Sequence, residues 1–436
     1  MNWLSKFLWL GIFAVVTTAQ AQRLVIDVTK GMTDPIPIAV TTFQSVNELG
    51  PQISKIIASD LQSSGLFRPI EQRAFIQDSL SAHSHPRFAD WRMINAQALI
   101  TGVVTTEGDT VKVEFRVFDV FSGKQIDGKV LKTTLKNWRR LGHMAADVIY
   151  SHLTGEEGYF DTRIVYISES GPASKRVKRL AIMDYDGQNH HFISDGKQMV
   201  ITPRFSPSTQ LVAYMAFLKK SARVYILDLR TGRRKIVGHF DGMTFAPRFS
   251  PDGERIVMSL AKEGRTCLYS MDLRTGRVSQ LTNTPFIDTS PSFSPDGRKI
   301  TFNSDRGGSQ QLYIMNADGS DQQRISFGSS GWYATPVWSP RGDLIAFTRC
   351  LEGSFYIGVM RPDGTGERLL TKGDYLVESP TWAPNGRVII FTKEYIGSNG
   401  RKLSKLYSID LTGFYEREIV TPLEASDPAW SPLLTK

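Results

Sequence analysis

Cysteine is almost missing from this chain: two occur in 436 residues, Cys267 and Cys350. A disulfide needs Cα atoms within about 7 Å, and nothing in their placement brings the two together, so the fold is expected to stand without a bridge. The signatures of common catalysts are absent as well. No Gly-x-Ser-x-Gly elbow occurs, and no glycine-rich phosphate loop stands between a strand and a helix. The seven histidines are scattered, and His83-Ser-His85 lacks neighbours to complete a zinc set, which leaves a solvated loop as its reading. Asp184-Tyr-Asp186-Gly-Gln-Asn189 starts like a calcium loop but has no closing Glu, so it reads as a turn. After the first twenty residues no apolar run approaches the length of a membrane span.

What is present is a repeat. Pro203-Arg-Phe-Ser-Pro207, Pro247-Arg-Phe-Ser-Pro251, Pro291-Ser-Phe-Ser-Pro295, Pro336-Val-Trp-Ser-Pro340, Pro380-Thr-Trp-Ala-Pro384 and Pro428-Ala-Trp-Ser-Pro432 follow one another at 44, 44, 45, 44 and 48 residues. A period this even means one supersecondary unit stacked on copies of itself, each burying its apolar face on a neighbour. Within the unit from Pro291, the Pro-rich piece is extended because Pro cannot sit inside a hydrogen-bonded ladder. Asp296-Gly297 turns the chain, Ile300–Ser304 and Leu312–Met315 alternate as strands, and Arg324–Ser326 adds a short fourth. Four antiparallel strands in about 44 residues, here called A to D, make the blade of a β-propeller. The Phe or Trp of strand A recurs at one place in every unit, as packing between blades requires and a ligand-stacking site does not. Burial of each ring is worth about 2–3 kcal/mol.

Counting the strands predicts how the ring shuts. Six B strands begin with Arg163–Ser168, which has no A before it, and the last A, at 427–432, has no B after it. Pairing these two gives six blades over 160–436 with no open edge. The two halves of the chain therefore have different grammar. Residues 22–159 mix periods: Arg23–Val28 and Pro37–Phe43 alternate, Ile53, Ile56, Ile57 and Leu61 share a helical face, and Val111, Val113, Phe115 and Val117 line one side of a strand. Asn137 is placed to cap a helix with the stripe Trp138, Leu141, Ala145, Val148 and Ile149, ending at Gly155. The expected fold is mainly β, a six-bladed propeller with a smaller N-terminal α/β domain. Residues 1–21 read as a signal peptide, with an apolar core at 7–16 behind Lys6 and cleavage after Ala21. The segment 22–33 is expected to be mobile.

Basic residues gather at Lys175, Arg176, Lys178, Arg179, Lys219, Lys220, Arg233, Arg234 and Lys235. They lack interleaved aromatics, so a solvated face, or attraction to an acidic partner or anionic lipid surface, is read there, and no nucleic acid is expected. The A–B and C–D turns are short and alike and make a plain face. The D–A and B–C connections vary, and variable loops on a rigid scaffold carry recognition.

The Pro-x-[Phe/Trp]-Ser-Pro-[Asp]-Gly blades, from which Pro207-Ser-Thr and Pro432-Leu-Leu depart, lack a Trp-Asp signature and resemble the TolB-type propeller family. Arg23-Leu-Val-Ile-Asp27, Pro37-Ile-Ala-Val-Thr-Thr-Phe43, Ser59-Asp60-Leu61, Ser64-Gly65-Leu66-Phe67, Leu153-Thr-Gly155, Arg163-Ile-Val-Tyr166 and Asp184-Tyr-Asp-Gly187 extend the resemblance over the mature chain. It implies a periplasmic, monomeric adaptor of the Tol-Pal envelope system, peripheral to the outer membrane, without enzymatic activity or cofactor. It also implies contact with TolA through Arg23, Leu24, Val25, Ile26 and Asp27, and with the lipoprotein Pal through one end of the channel, alongside other Tol envelope proteins. The role implied is outer-membrane integrity and invagination during division. On the blades, the D–A residues Met243, Thr244, Ala246, Asp288, Thr289, Tyr333, Leu376 and Glu378 are expected to rim the channel mouth and meet Pal. An exported propeller hydrolase or lyase, and an outer-membrane assembly scaffold, are the alternatives.

Overall fold

The computed structural model describes residues 34–434, apart from 78–79, 219–220, 329, 374 and 398–399. The expected signal peptide and the segment 22–33 lie outside the described residues.

The N-terminal unit is a five-stranded sheet in the order β2-β1-β3-β4-β5, formed by β1 (Ile36–Val40), β2 (Phe67–Pro69), β3 (Ala98–Glu107), β4 (Thr110–Asp119) and β5 (Lys124–Thr134). β1 runs parallel to both its neighbours, and β3 to β5 form an antiparallel meander. The alternation of the strands sorts their side chains onto two faces. Ile38, Val40, Ile100, Val111, Val113, Phe115 and Val117 turn to helices α1 (Leu49–Ser63) and α3 (Trp138–Thr154). Ala39, Leu99 and Phe118 turn to a small second core around Trp91 of α2 (Phe88–Met93). The α1 stripe of Ile53, Ile57 and Leu61 is wholly buried. α3 meets it at Gly142, where a Cβ would lie 2.6 Å from Ile56. Gly155 ends α3 in the left-handed conformation, φ 74°. Asn137 does occupy the N-cap position of α3, but its side chain makes no cap bond; its amide donates instead to Thr134 Oγ1 at 3.1 Å.

The rest of the chain makes six four-stranded antiparallel sheets. The first blade is composite: Glu424–Trp430 pairs with Arg163–Ser170, setting Ala429 opposite Val165 and Trp430 opposite Ile164. Blades two to six follow in chain order, each beginning with its innermost strand: Val200–Phe205, Met243–Phe249, Asp288–Phe293, Trp332–Trp338 and Leu376–Trp382. The innermost strands of successive blades lie against one another all the way round. The repeated aromatics sit between blades. Phe249 packs on Ala213 and Ile226 of the preceding blade, Phe293 on Val257 and Leu268, and Trp382 on Val337 and Ala346. All six, Phe205 and Trp430 included, are at most 9% exposed.

One feature of the ring was not legible in the repeat. In every innermost strand the residue before the repeat proline has positive φ: Thr202, Ala246, Ser290, Thr335, Ser379 and Asp427, between 47° and 56°. The register slips at that point in each blade. The strand thus bulges once beside the axis, sixfold, at non-glycine residues for which that conformation costs about 1–2 kcal/mol each.

Candidate functional site

The two faces of the disc are differently furnished, and the N-terminal domain decides which is free. It seats on the A–B and C–D turns. Asn385, in the A–B turn of blade six, donates to the Glu157 carbonyl at 2.9 Å. Glu156 accepts from Arg387 of the same turn and from Arg341 of blade five at 3.1 Å. Arg139 of α3 reaches Asp186 in the C–D turn of blade one at 2.5 Å, and Tyr415 reaches the Gln62 carbonyl at 3.3 Å. Trp430 closes the joint: its indole stands edge-on to Tyr159 at 5.8 Å and donates to Thr162 Oγ1 at 2.8 Å. One continuous core runs from Ile53 and Tyr150 through Tyr159 and Phe160 to Ile390 and Trp430. The plain face is thereby covered at blades one, five and six, and the face of variable loops is left open.

A buried polar group lies in this joint. His143 of α3 is 2% exposed and its Nδ1 lies 2.7 Å from Asp60 Oδ2, while Tyr185 donates to Asp60 Oδ1 at 2.6 Å. Burial alone would lower the imidazole pKa, but the Asp60 carboxylate beside it, with Asp186 and Asp184 adding to its effect, pushes it up to about 9. The Asp184 to Asn189 segment is the turn its sequence indicates, closed by Gly187 N–H to the Asp184 carbonyl at 2.9 Å. It brings the Asp184 and Asp186 carboxylates within 4.8 Å of a His143 ring nitrogen, with Arg139 serving as their counter-charge. A lone histidine on an apolar stripe carried no sequence signal for this group.

On the open face, the eight residues expected to meet a partner fall in the first halves of the innermost strands of blades three to six, and they divide by burial. Met243 is exposed, Ala246 forms the bulge before Pro247, and Thr289 accepts from Ser259 Oγ at 3.1 Å. Leu376 lines a hollow of about 430 Å³ with Tyr375, Glu394, Tyr395, Ile396 and Lys402. Glu378 stands near Asp427 and Glu394; burial first, then these two charges, pushes its carboxyl up to about 7. Thr244, Asp288 and Tyr333 are fully buried. Thr244 Oγ1 accepts the Val224 N–H at 3.1 Å, and Asp288 is held by Arg306 at 2.8 Å and Thr284 at 2.9 Å. Tyr333 donates to Glu367 at 2.8 Å beneath the Arg349 guanidinium, which lies 4.0 Å above its ring. These three shape the loops from inside. Arg23, Leu24, Val25, Ile26 and Asp27 lie outside the described residues.

The basic cluster is partly neutralised. Arg176 bridges Glu169 at 3.0 Å and Glu424 at 3.2 Å, and Lys178 pairs with Glu169 at 2.9 Å. Burial opposes ionisation of Glu169, yet Ser426, Lys178 and Arg176 hold its pKa below the usual range. Cys267 and Cys350 are both free thiols.

Comparison with known proteins follows the same division of the chain. The TolB amino-terminal domain family matches residues 24–126, and the TolB beta propeller domain family matches residues 150–434. TolB from Acinetobacter baumannii is 28% identical and superposes with a TM-score of 0.81 over 92% of this chain and 98% of that one. A putative TolB from Agrobacterium tumefaciens is 18% identical, with a TM-score of 0.48 over 62% of this chain and 92% of that one. Hydrazine synthase from Kuenenia stuttgartiensis, 13% identical with a TM-score of 0.52, covers 62% of this chain and 46% of its own and shares the propeller fold alone.

Proposed function

Because the chain belongs to the TolB family, a family of periplasmic, non-enzymatic propeller proteins associated with the Tol-Pal system, we propose that it links the lipoprotein Pal to TolA. In this reading the open propeller face grips Pal and residues 23–27 engage TolA, with the protein acting as a monomer at the outer membrane's inner surface. Its service is to envelope integrity and to invagination at division. Among the described residues no helix is long and apolar enough to cross a membrane.

The observation that carries this reading is the asymmetry of the disc. The N-terminal domain takes the face of short turns, and the variable D–A and B–C loops stay free on a rigid scaffold, the arrangement from which recognition is usually built. Met243, Ala246, Thr289, Leu376 and Glu378 are the proposed contacts, with Thr244, Asp288 and Tyr333 positioning them. The test is calorimetry of Pal binding to the Glu378→Lys, Thr289→Arg double variant. Affinity is expected to fall at least about tenfold, roughly 1.4 kcal/mol, with the melting temperature held; unchanged affinity refutes the assignment. Coupling of Pal binding to exposure of the N-terminal segment needs two states of different Pal affinity. Deleting residues 22–30 should remove TolA binding and keep Pal binding, and loss of both would indicate unfolding instead.

A further inference from the structure

Two arginines of the innermost strands make no ion pair among the described residues. Arg204 and Arg248 follow the repeat proline in blades two and three, on innermost strands that border each other beside the axis. They hold equivalent registers, Arg204 opposite Ala213 and Arg248 opposite Val257. The other four blades carry Ser292, Val337, Thr381 and Ala429 at this place. Two of those join neighbouring blades, since Ser292 accepts the Trp338 N–H at 3.2 Å and Thr381 accepts the Trp430 N–H at 3.4 Å. A guanidinium has no lone pair to offer for that purpose, so these arginines do not serve the seam between blades as the hydroxyls do.

Arg204 is 8% exposed, and its side chain donates to the carbonyl of its own neighbour Pro203 at 2.7 Å. Among the described residues no carboxylate lies within ion-pair distance of either arginine. Several other sequestered cations here are paired: Arg140 with Asp161 at 2.7 Å, Arg306 with Asp288 at 2.8 Å, Arg349 with Glu367 at 3.5 Å. The acidic group acting on Arg204 is Asp427, which stands beyond ion-pair distance and accepts from Ser379 at 2.8 Å and from the Thr202 N–H at 3.3 Å. Burial draws the Arg248 pKa well below its ordinary value, and Arg204 pushes the same way. A guanidinium keeps its proton in proteins, so this opposition calls for a counter-anion rather than deprotonation. Two planar forks carried at the same register on neighbouring strands suit an oxyanion with at least two acceptor atoms.

We propose that Arg204 and Arg248 form an oxyanion-binding site beside the propeller axis, taking a carboxylate or a phosphate group. The site is independent of the partner reading above.

Calorimetric titration of the full mature chain with inorganic phosphate and, separately, with malonate tests it, both against sodium chloride of matched ionic strength. Saturable binding of either is expected; phosphate alone points to a phosphorylated ligand, and malonate to a carboxylate. The Arg204→Ala, Arg248→Ser double variant uses residues that the repeat itself carries at this position, at Ala429 and Ser292, and should lose binding about tenfold or more. Arg248→Lys keeps the charge without the fork and should weaken binding while remaining folded; Arg230→Ala, on an exposed turn, should leave it unchanged. Binding no stronger than that of chloride, or binding undiminished in the double variant, overturns the proposal.

Discussion

Replacing Trp430 by alanine tests how the two halves of the molecule are joined. The side chain is 6% exposed, lies in the core shared by both domains, and directs its indole N–H to Thr162. Truncating a buried Trp costs about 3–5 kcal/mol. The Thr162 hydroxyl still donates to the Tyr159 carbonyl at 2.7 Å, so no stranded donor adds to that figure. Unfolding entropy of about 2.1 cal/mol/K per residue over about 400 residues gives roughly 0.8 kcal/mol/K, so a loss of about 4 kcal/mol lowers the melting point by about 5 °C. Trp430→Phe keeps most of the ring and should lose about 1 kcal/mol for the hydrogen bond. Trp382→Ala is the control: that ring is also buried, with its N–H on the Val337 carbonyl at 3.0 Å, but its cluster lies wholly within blades five and six. Scanning calorimetry should show a comparable shift in a single peak for Trp382→Ala, and for Trp430→Ala a shift with separation of two transitions. A Trp430→Ala melt within about 1 °C of wild type would refute the argument that this residue fastens both the ring and the domain joint.

Asp147 receives the Phe160 and Asp161 N–H groups at 2.7 and 3.0 Å, but burial pushes its carboxyl up to about 7 from 3.8. Because the folded pKa is the higher one, the unfolded chain ionises first, and stability falls as pH rises from about 4 to 7, by roughly 4 kcal/mol in all. Denaturant unfolding of wild type against Asp147→Asn should show the wild type losing ground over that range; a constant difference contradicts it. Glu156 is the reverse case: burial disfavours its charge, but Arg387 and Arg341 hold its pKa below 4.5. Its contribution is present above that pH and is lost as pH falls through the lowered value, and Glu156→Gln should cost about 1–3 kcal/mol at neutral pH, read by the same method. Ala246→Gly relieves a left-handed alanine at φ 49° and should stabilise by up to about 1 kcal/mol; a lower melting point would show that the bulge is not strained.

The architecture was legible because its cause is local and repeated. Alternation in Val111 to Val117 and the fixed place of Phe249, Phe293 and Trp382 report directly which side of a strand is covered. The bulges were not legible, since a residue before proline is ordinarily extended, and Thr202 or Ser379 is forced elsewhere only by the register of the next strand. Which loops share a face was legible, but the burial of each residue on it was not. The spacing that puts Thr244, Asp288 and Tyr333 at the loop ends says nothing of whether a neighbouring Val224, Arg306 or Glu367 will claim them. His143 is the extreme case, because its partners come from α1 and from a turn more than forty residues further on.

The pairing of Ala429 with Val165 spans almost the whole propeller sequence. Nearly the entire chain must therefore be present before the ring can shut, and until then the strand at 163–170 keeps a bare edge exposed to other chains. A truncation of the last dozen residues would remove little mass, yet it would leave an unlatched hoop prone to sticking to its own kind.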